Sequence, residues 1–222
     1  LLEEAVKLRL RSDVPLGVFL SGGIDSSAIL ALMAEQMPAE EIRTFSIGFQ
    51  DPSFDESSYA RRVAGHFGTQ HQERILDPET MVDILPRILS TLDEPMADGS
   101  LIPTYLLSEF TREHVTVALG GDGGDELFLG YPTFQAHKMA RRLRFLPSWV
   151  FKGMMEPVAN LLPVSTRNIS FDYKAKRFLR GMRFDPFARH FVWIGGLDPL
   201  AQHQVLHPDF LSRCGDEVVF AD

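Results

Sequence analysis

The chain has 222 residues, 45% hydrophobic and 23% charged, which is enough for one sizeable core or a core with a small helical appendage. Its formal charge of -8 argues against a general nucleic-acid binder, and no apolar run approaches the ~20 residues of a membrane span. The single cysteine, Cys214, excludes an intrachain disulfide framework and fits a cytoplasmic setting; it reads as a small packed residue rather than a nucleophile.

Leu1, Leu2, Ala5, Val6, Leu8 and Leu10 are spaced for one broad helical face. Val14 to Leu20 is a short apolar run ending in Ser-Gly-Gly, as expected of a strand buried on both faces. Ile24 to Gln36 has helical periodicity, and Ile42 to Phe49 reads as a second strand. Glu56 to Phe67 predicts a helix closed by Gly68, Gln70 to Leu76 a more polar third strand, and Pro78 to Leu92 a helix. A carboxylate-rich loop follows at 93–99. A helix is then expected over Ile102 to Glu113, and a fourth strand over Val115 to Leu119.

Strands alternating with helices imply an α/β fold with a doubly wound parallel sheet. Its ligand edge lies beyond the carboxyl ends of the strands. Both glycine-rich segments, Ser21 to Gly23 and Gly120 to Gly124, follow strands directly and are expected along that edge. After about Tyr131 the alternation stops. Basic helices are expected over His137 to Phe145 and Tyr173 to Met182, with prolines at 147, 157 and 163 breaking the stretch between them. The division expected is an α/β domain over 1–135 and an appended helical region over 136–222. The chain starts inside an amphipathic pattern and ends at Val218 to Asp222 without a stop signal, so a fragment of a longer protein is expected.

Ser21-Gly22-Gly23-Ile24-Asp25-Ser26-Ser27 has what a triphosphate needs. It combines free N–H groups at a helix start, two glycines that let the backbone approach, and three hydroxyl donors. The carboxylate of Asp25 makes sense beside phosphates if it faces a shared Mg²⁺. The segment is neither a G-x-x-x-x-G-K-S/T loop nor G-x-G-x-x-G, and Ser21 or Asp25 as a plain helix cap is the rival reading. Seven histidines show no metal-ligand spacing; His203 and His207 are i, i+4, but Pro208 follows at once.

Val18 to Ser27 resembles the pyrophosphate loop of the N-type ATP pyrophosphatases, the PP-loop superfamily with an adenine nucleotide alpha hydrolase-like fold. Ala118 to Tyr131 resembles the S-G-E-G-(S/A/G)-D-E-(L/I)-F-x-G-Y segment of glutamine-dependent asparagine synthetases, with Gly120 for Ser and Asp122 for Glu. Phe45 to Phe49, Phe54 to Ala60, Asp93 to Thr104 and Lys176 to Leu179 are similar to further family segments, although Phe54 to Ala60 is equally a plain helix cap. The resemblance implies ATP and Mg²⁺ as cofactors. ATP would be held by Leu20, Ser21, Gly22, Gly23, Asp25, Ser26, Ser27, Ile47, Gly120 and Gly121. Metal would be held by Asp25 and Asp125, and Glu126 and Tyr131 would assist the chemistry. An aspartate-like carboxylate would be held near Asp98, Ser100 and Asp122.

The implied reaction is amidation through an acyl-adenylate, with ammonia drawn from glutamine by a glutaminase domain that has no match here. A distal lysine that stabilises adenylation in the family also has no match, so residues 1–222 alone are expected to be inactive. A related synthetase acting on another carboxylate, such as a β-lactam-forming one, or a non-catalytic ATP-binding module stays open. No nucleic-acid or membrane partner is expected, and a homodimer is compatible with the sequence.

Overall fold

The computed structural model describes residues 1–94, 96, 98–147, 150–165, 170–197 and 199–214. Pro95 of the carboxylate-rich loop and the tail from Val218 to Asp222 lie outside them. The contacts divide the chain into two compact units, Leu1–Leu127 and Phe128–Asp222.

The first unit is built on four parallel strands, β1 (Leu16–Phe19), β2 (Arg43–Phe49), β3 (Gln70–Leu76) and β4 (Val117–Leu119). Their order across the sheet is β3-β2-β1-β4. The chain therefore moves outward from β1 through β2 to β3, then returns to place β4 on the other side of β1. Such a reversal opens a crevice at the strand ends between β1 and β4. Register is tight there, with Leu16 opposite Val117 and Val18 opposite Leu119. Leu20 prolongs the β1 pairing, its N–H donating to Phe45 O at 2.8 Å.

The two faces of the sheet carry different cores, as alternation along a strand requires. On one face Val18, Leu20 and Ile42 pack with Val6 from α1 (Leu2–Arg9), Leu30 and Met33 from α2 (Ile24–Ala34), and Ala60 and Ala64 from α3 (Ser57–Phe67). On the other face Phe45 is fully buried against Phe110 of α5 (Leu101–Arg112) and Val115, its ring edge-on to Phe110 at 5.9 Å. Gly17 makes that possible, since a Cβ there would stand 2.7 Å from the Phe45 ring. Burying a side chain of this size contributes about 3 kcal/mol. The α4 helix (Pro78–Leu89) packs on α5 and is capped by Asp77, whose carboxylate accepts the Thr80 N–H at 3.0 Å. The α3 helix ends as its sequence demands, with Gly68 at φ +77 taking the left-handed cap.

The second unit is helical. After the short α6 (Gly124–Phe128) come α7 (Pro132–Arg142), a π-helical turn at Phe151–Met155 running into α8 (Glu156–Asn160), α9 (Phe171–Gly181) and α10 (Pro186–Ile194). Two shorter helices, α11 (Pro199–Val205) and α12 (Pro208–Cys214), follow. Trp193 anchors its core against Leu179 and Met182, and its indole N–H donates to the carbonyls of Arg177 and Phe178. The helix expected from His137 begins five residues earlier, because Pro132 at the first helical position presets the helical φ. Among the described residues no helix is long and apolar enough to cross a membrane.

Candidate functional site

The turn after β1 is held open by its own hydroxyls. Ser21 Oγ lies 3.0 Å from Ser26 Oγ and accepts the Gly23 N–H at 3.2 Å, while the Ser21 N–H donates to Ser26 Oγ at 3.3 Å. Ser26 is itself buried. Ser21 and Ser26 thus shape the turn, which the sequence did not separate from ligand binding. Gly23 caps α2 in an extended conformation with no side-chain cap, so the N–H groups of Ile24, Asp25 and Ser26 stand in a first turn that supplies no acceptor. Ser27 N–H returns to Gly23 O at 3.0 Å, yet Ser27 Oγ is buried without a hydrogen-bond partner. A buried hydroxyl left in this state costs about 1–3 kcal/mol, which a bound acceptor would recover.

Gly22 sits at φ +80 against the first turn of α3. A Cβ there would lie 2.5 Å from Ala60 N and 2.6 Å from Tyr59 Cβ. No side chain other than hydrogen fits.

The turn after β4 closes on the first one. A Cβ on Gly121 would stand 2.9 Å from Ser26 N and 3.0 Å from Asp25 Cβ, and one on Gly124 would overlap the Asp25 carboxylate. The two glycine-rich loops, separated by about 100 residues in sequence, are therefore in van der Waals contact at the switch point of the sheet. Asp122 folds its carboxylate back over Gly120, while Asp125 and Glu126 open α6 directly after Gly124.

The remaining expected residues fall as follows. Leu20 is a core side chain, 2% exposed, so only its backbone can face a ligand. Ile47 lies on the Phe45 face of β2, two residues farther towards the carboxyl end. Asp98 and Ser100 open α5, where the Ser100 N–H donates to Asp98 Oδ1 at 2.8 Å and holds that carboxyl below the usual carboxylate range. Both are exposed. Tyr131 belongs to the second unit, before α7, with its ring 6.1 Å from Phe134.

The donor set fits a polyphosphate: the first-turn N–H groups of a helix with no side-chain cap, an orphaned hydroxyl, and a backbone stripped of Cβ atoms on two sides. For a metal, no three His, Cys, Asp or Glu side chains converge among the described residues. Asp25 and Asp125 would hold Mg²⁺ only with phosphate oxygens and water completing its six ligands.

Gly124 and Asp55, which the sequence placed only within the second glycine-rich turn and a helix start, make contacts around this turn that it did not show. Gly124 was legible as one more glycine in a glycine-rich turn, but not as the contact to Asp25. Asp55 carried a local signal, a carboxylate two residues before a serine at a helix start. Burial by itself would raise its carboxyl. The N–H and hydroxyl of Ser57, the Phe49 N–H and the Arg61 charge together hold it below the usual range. His71 is half-buried, with Nδ1 2.9 Å from Thr44 Oγ1 and Nε2 3.3 Å from Ser46 Oγ. Glu73 Oε2 stands 4.0 Å from that Nε2, but burial keeps the imidazole neutral at pH 7, so the contact is not an ion pair there.

The sequence model of the asparagine synthase family matches residues 1–203. Over 167 residues the chain is 38% identical to asparagine synthetase [glutamine-hydrolyzing] 1 of Bacillus subtilis, covering 75% of this chain and 26% of that protein. Over 164 residues it is 42% identical to a putative asparagine synthetase [glutamine-hydrolyzing] 2 of Methanocaldococcus jannaschii, covering 74% of this chain and 31% of that one. The chain thus spans between a quarter and a third of the length of these relatives. Among solved structures, the NH3-dependent NAD synthetase from Campylobacter jejuni aligns at 20% identity with a TM-score of 0.41, over 59% of this chain and 57% of that one.

Proposed function

The chain belongs to the asparagine synthase family, and from that premise we propose that it carries the ATP site of a ligase that amidates a carboxylate through an acyl-adenylate. The observation that carries this reading is the contact between the two loops. Gly121 and Gly124 lie against Asp25 and Ser26 beside the unpartnered Ser27 hydroxyl.

The substrate we infer is the side-chain carboxylate of aspartate, and the product asparagine, as the names of the relatives suggest. A carboxylate oxygen attacks the α-phosphorus of ATP, the bond from that phosphorus to the bridging oxygen breaks, and pyrophosphate leaves with the electron pair. Ammonia then attacks the acyl carbon, AMP departs with the electrons of the acyl–oxygen bond, and a proton is lost from nitrogen.

The chain's own residues contribute position and charge. The first-turn N–H groups of α2 and the Ser27 hydroxyl donate to the departing pyrophosphate, where negative charge grows. The glycine backbones admit it closely, and the backbone around Ile47 would offer edge hydrogen bonds to adenine. Mg²⁺ held by Asp25 and Asp125 would neutralise phosphate charge when bound. Glu126, Asp122, Asp98 and Ser100 are assigned to the carboxylate and amine side, and Tyr131 to the acyl-adenylate. In the longer relatives a glutamine-hydrolysing part supplies the ammonia by this account, in the cytoplasm.

Calorimetric titration with ATP and Mg²⁺ tests the site. The expected result is micromolar to millimolar binding that weakens at least tenfold in Asp25→Asn. Absent binding, or binding indifferent to Asp25→Asn, refutes the reading.

A further inference from the structure

The phosphate turn does not hold its shape alone. Gly22, at φ +80, has its Cα pressed on the backbone of Tyr59 and Ala60, so its position is set by where α3 begins. The residue at the helical N-cap, Glu56, makes no side-chain capping bond. The start of α3 is fixed instead by Asp55. Its Oδ1 accepts the N–H of Ser57 at 3.1 Å and the N–H of Phe49, the last residue of β2, at 3.2 Å. Its Oδ2 accepts the Ser57 hydroxyl at 3.0 Å, and Ser57 is 2% exposed. One carboxylate thus ties the carboxyl end of β2 to the first turn of α3. Gly48 leaves it room, since a Cβ there would lie 2.9 Å from Asp55 Oδ1. Arg61, one turn along α3, donates to the same Ser57 hydroxyl at 3.4 Å.

We infer that Asp55 is a positioning residue for the polyphosphate site: by riveting β2 to the first turn of α3 it sets the seat on which Gly22 rests, and so the aim of the N–H groups that follow. It touches no ligand. Its effect travels through two contacts, Asp55 to the Ser57–Ala60 turn and that turn to Gly22. The inference rests on the reading of the Ser21–Ser27 turn as a phosphate cradle. Its consequence is selective. Losing the rivet should loosen the polyphosphate half of the site and leave the adenine half, on the opposite face of β2 near Ile47, unchanged.

The test titrates the 222-residue chain and its Asp55→Ala and Asp55→Asn variants with ATP, inorganic pyrophosphate and adenosine as separate ligands. Circular dichroism confirms that each variant is folded. In Asp55→Ala, binding of ATP and of pyrophosphate is expected to weaken about tenfold, the scale of one charge-assisted hydrogen bond, with adenosine affinity unchanged. Asp55→Asn keeps Oδ1 for both N–H groups and offers an N–H to Ser57 Oγ, so it should restore affinity to within about threefold of the parent. If Asp55→Ala does not fold, Ser57→Ala substitutes: it removes the hydroxyl that donates to Asp55 Oδ2 and accepts from Arg61, and it should weaken pyrophosphate binding about threefold with adenosine affinity unchanged. Equal weakening for all three ligands, or no weakening for ATP and pyrophosphate, overturns the inference. Failure of the parent chain itself to bind ATP marks the failure of the cradle reading beneath it.

Discussion

Replacing Gly22 by alanine probes the contact on which the Ser21–Ser27 turn depends. Two costs apply. The first is conformational, since at φ +80 an L-residue loses about 1–2 kcal/mol relative to glycine. The second is steric. The new Cβ would stand 2.5 Å from Ala60 N, a backbone atom inside a helix that cannot rotate away, and relieving such overlap costs roughly 1–3 kcal/mol. The expected destabilisation is therefore about 2–5 kcal/mol. Gly68→Ala is the matched control. Its φ of +77 carries the same conformational cost, but its Cβ would meet nothing within 4 Å, so about 1–2 kcal/mol is expected. Amide hydrogen exchange in β1 and β2 reads the first unit directly. If Gly22→Ala loses no more stability than Gly68→Ala, Gly22 is not seated on α3 and the reasoning fails.

Ser27→Ala separates stability from binding. Its Oγ is buried and unpartnered, so removing it should leave the free chain as stable or up to about 1 kcal/mol more stable, while ATP affinity falls about tenfold. Thermal unfolding with and without ATP checks both signs, and a destabilised free chain would mean that the hydroxyl already has a partner. Stability should also fall on acidification through His71 and His137. Burial holds both below their ordinary value near 6.5, helped for His137 by the charges of His190 and Arg189. The unfolded chain then binds more protons between the two values, so stability is full above about pH 6.5 and declines as pH drops through the folded pKa. Urea midpoints between pH 8 and 5 should show the decline. His71→Gln should flatten it for the first unit and His137→Gln for indole fluorescence, since His137 packs edge-on to Trp193 at 4.8 Å.

Local chemistry made much of this protein legible in its sequence. Gly68 closed α3 where only a left-handed residue could, and the β3 boundaries at Gln70 and Leu76 followed from the Gly68 stop and the Asp77-Pro78 start. The Ser21–Ser27 turn was recognisable because strand, glycines and helix start are contiguous. The histidine contacts were not. His137 and His190 meet at 3.2 Å from two different helices, and His71 bonds Thr44 and Ser46 across a strand pair. Spacing along the chain carries no trace of either.

The sequence by itself thus determined a parallel α/β sheet and two glycine-rich turns at the carboxyl ends of its strands, because hydrophobic period and turn chemistry are local properties. Only the tertiary structure decided that β4 lies beside β1. That placement brings Gly121 and Gly124 onto Asp25, while the pairing of β2 with β1 brings α3 to the seat of Gly22. It is settled by which buried faces pack together, Phe45 against Phe110 on one side and Leu20 against Ala60 and Ala64 on the other, and packing of this kind is a property of the whole fold rather than of any segment.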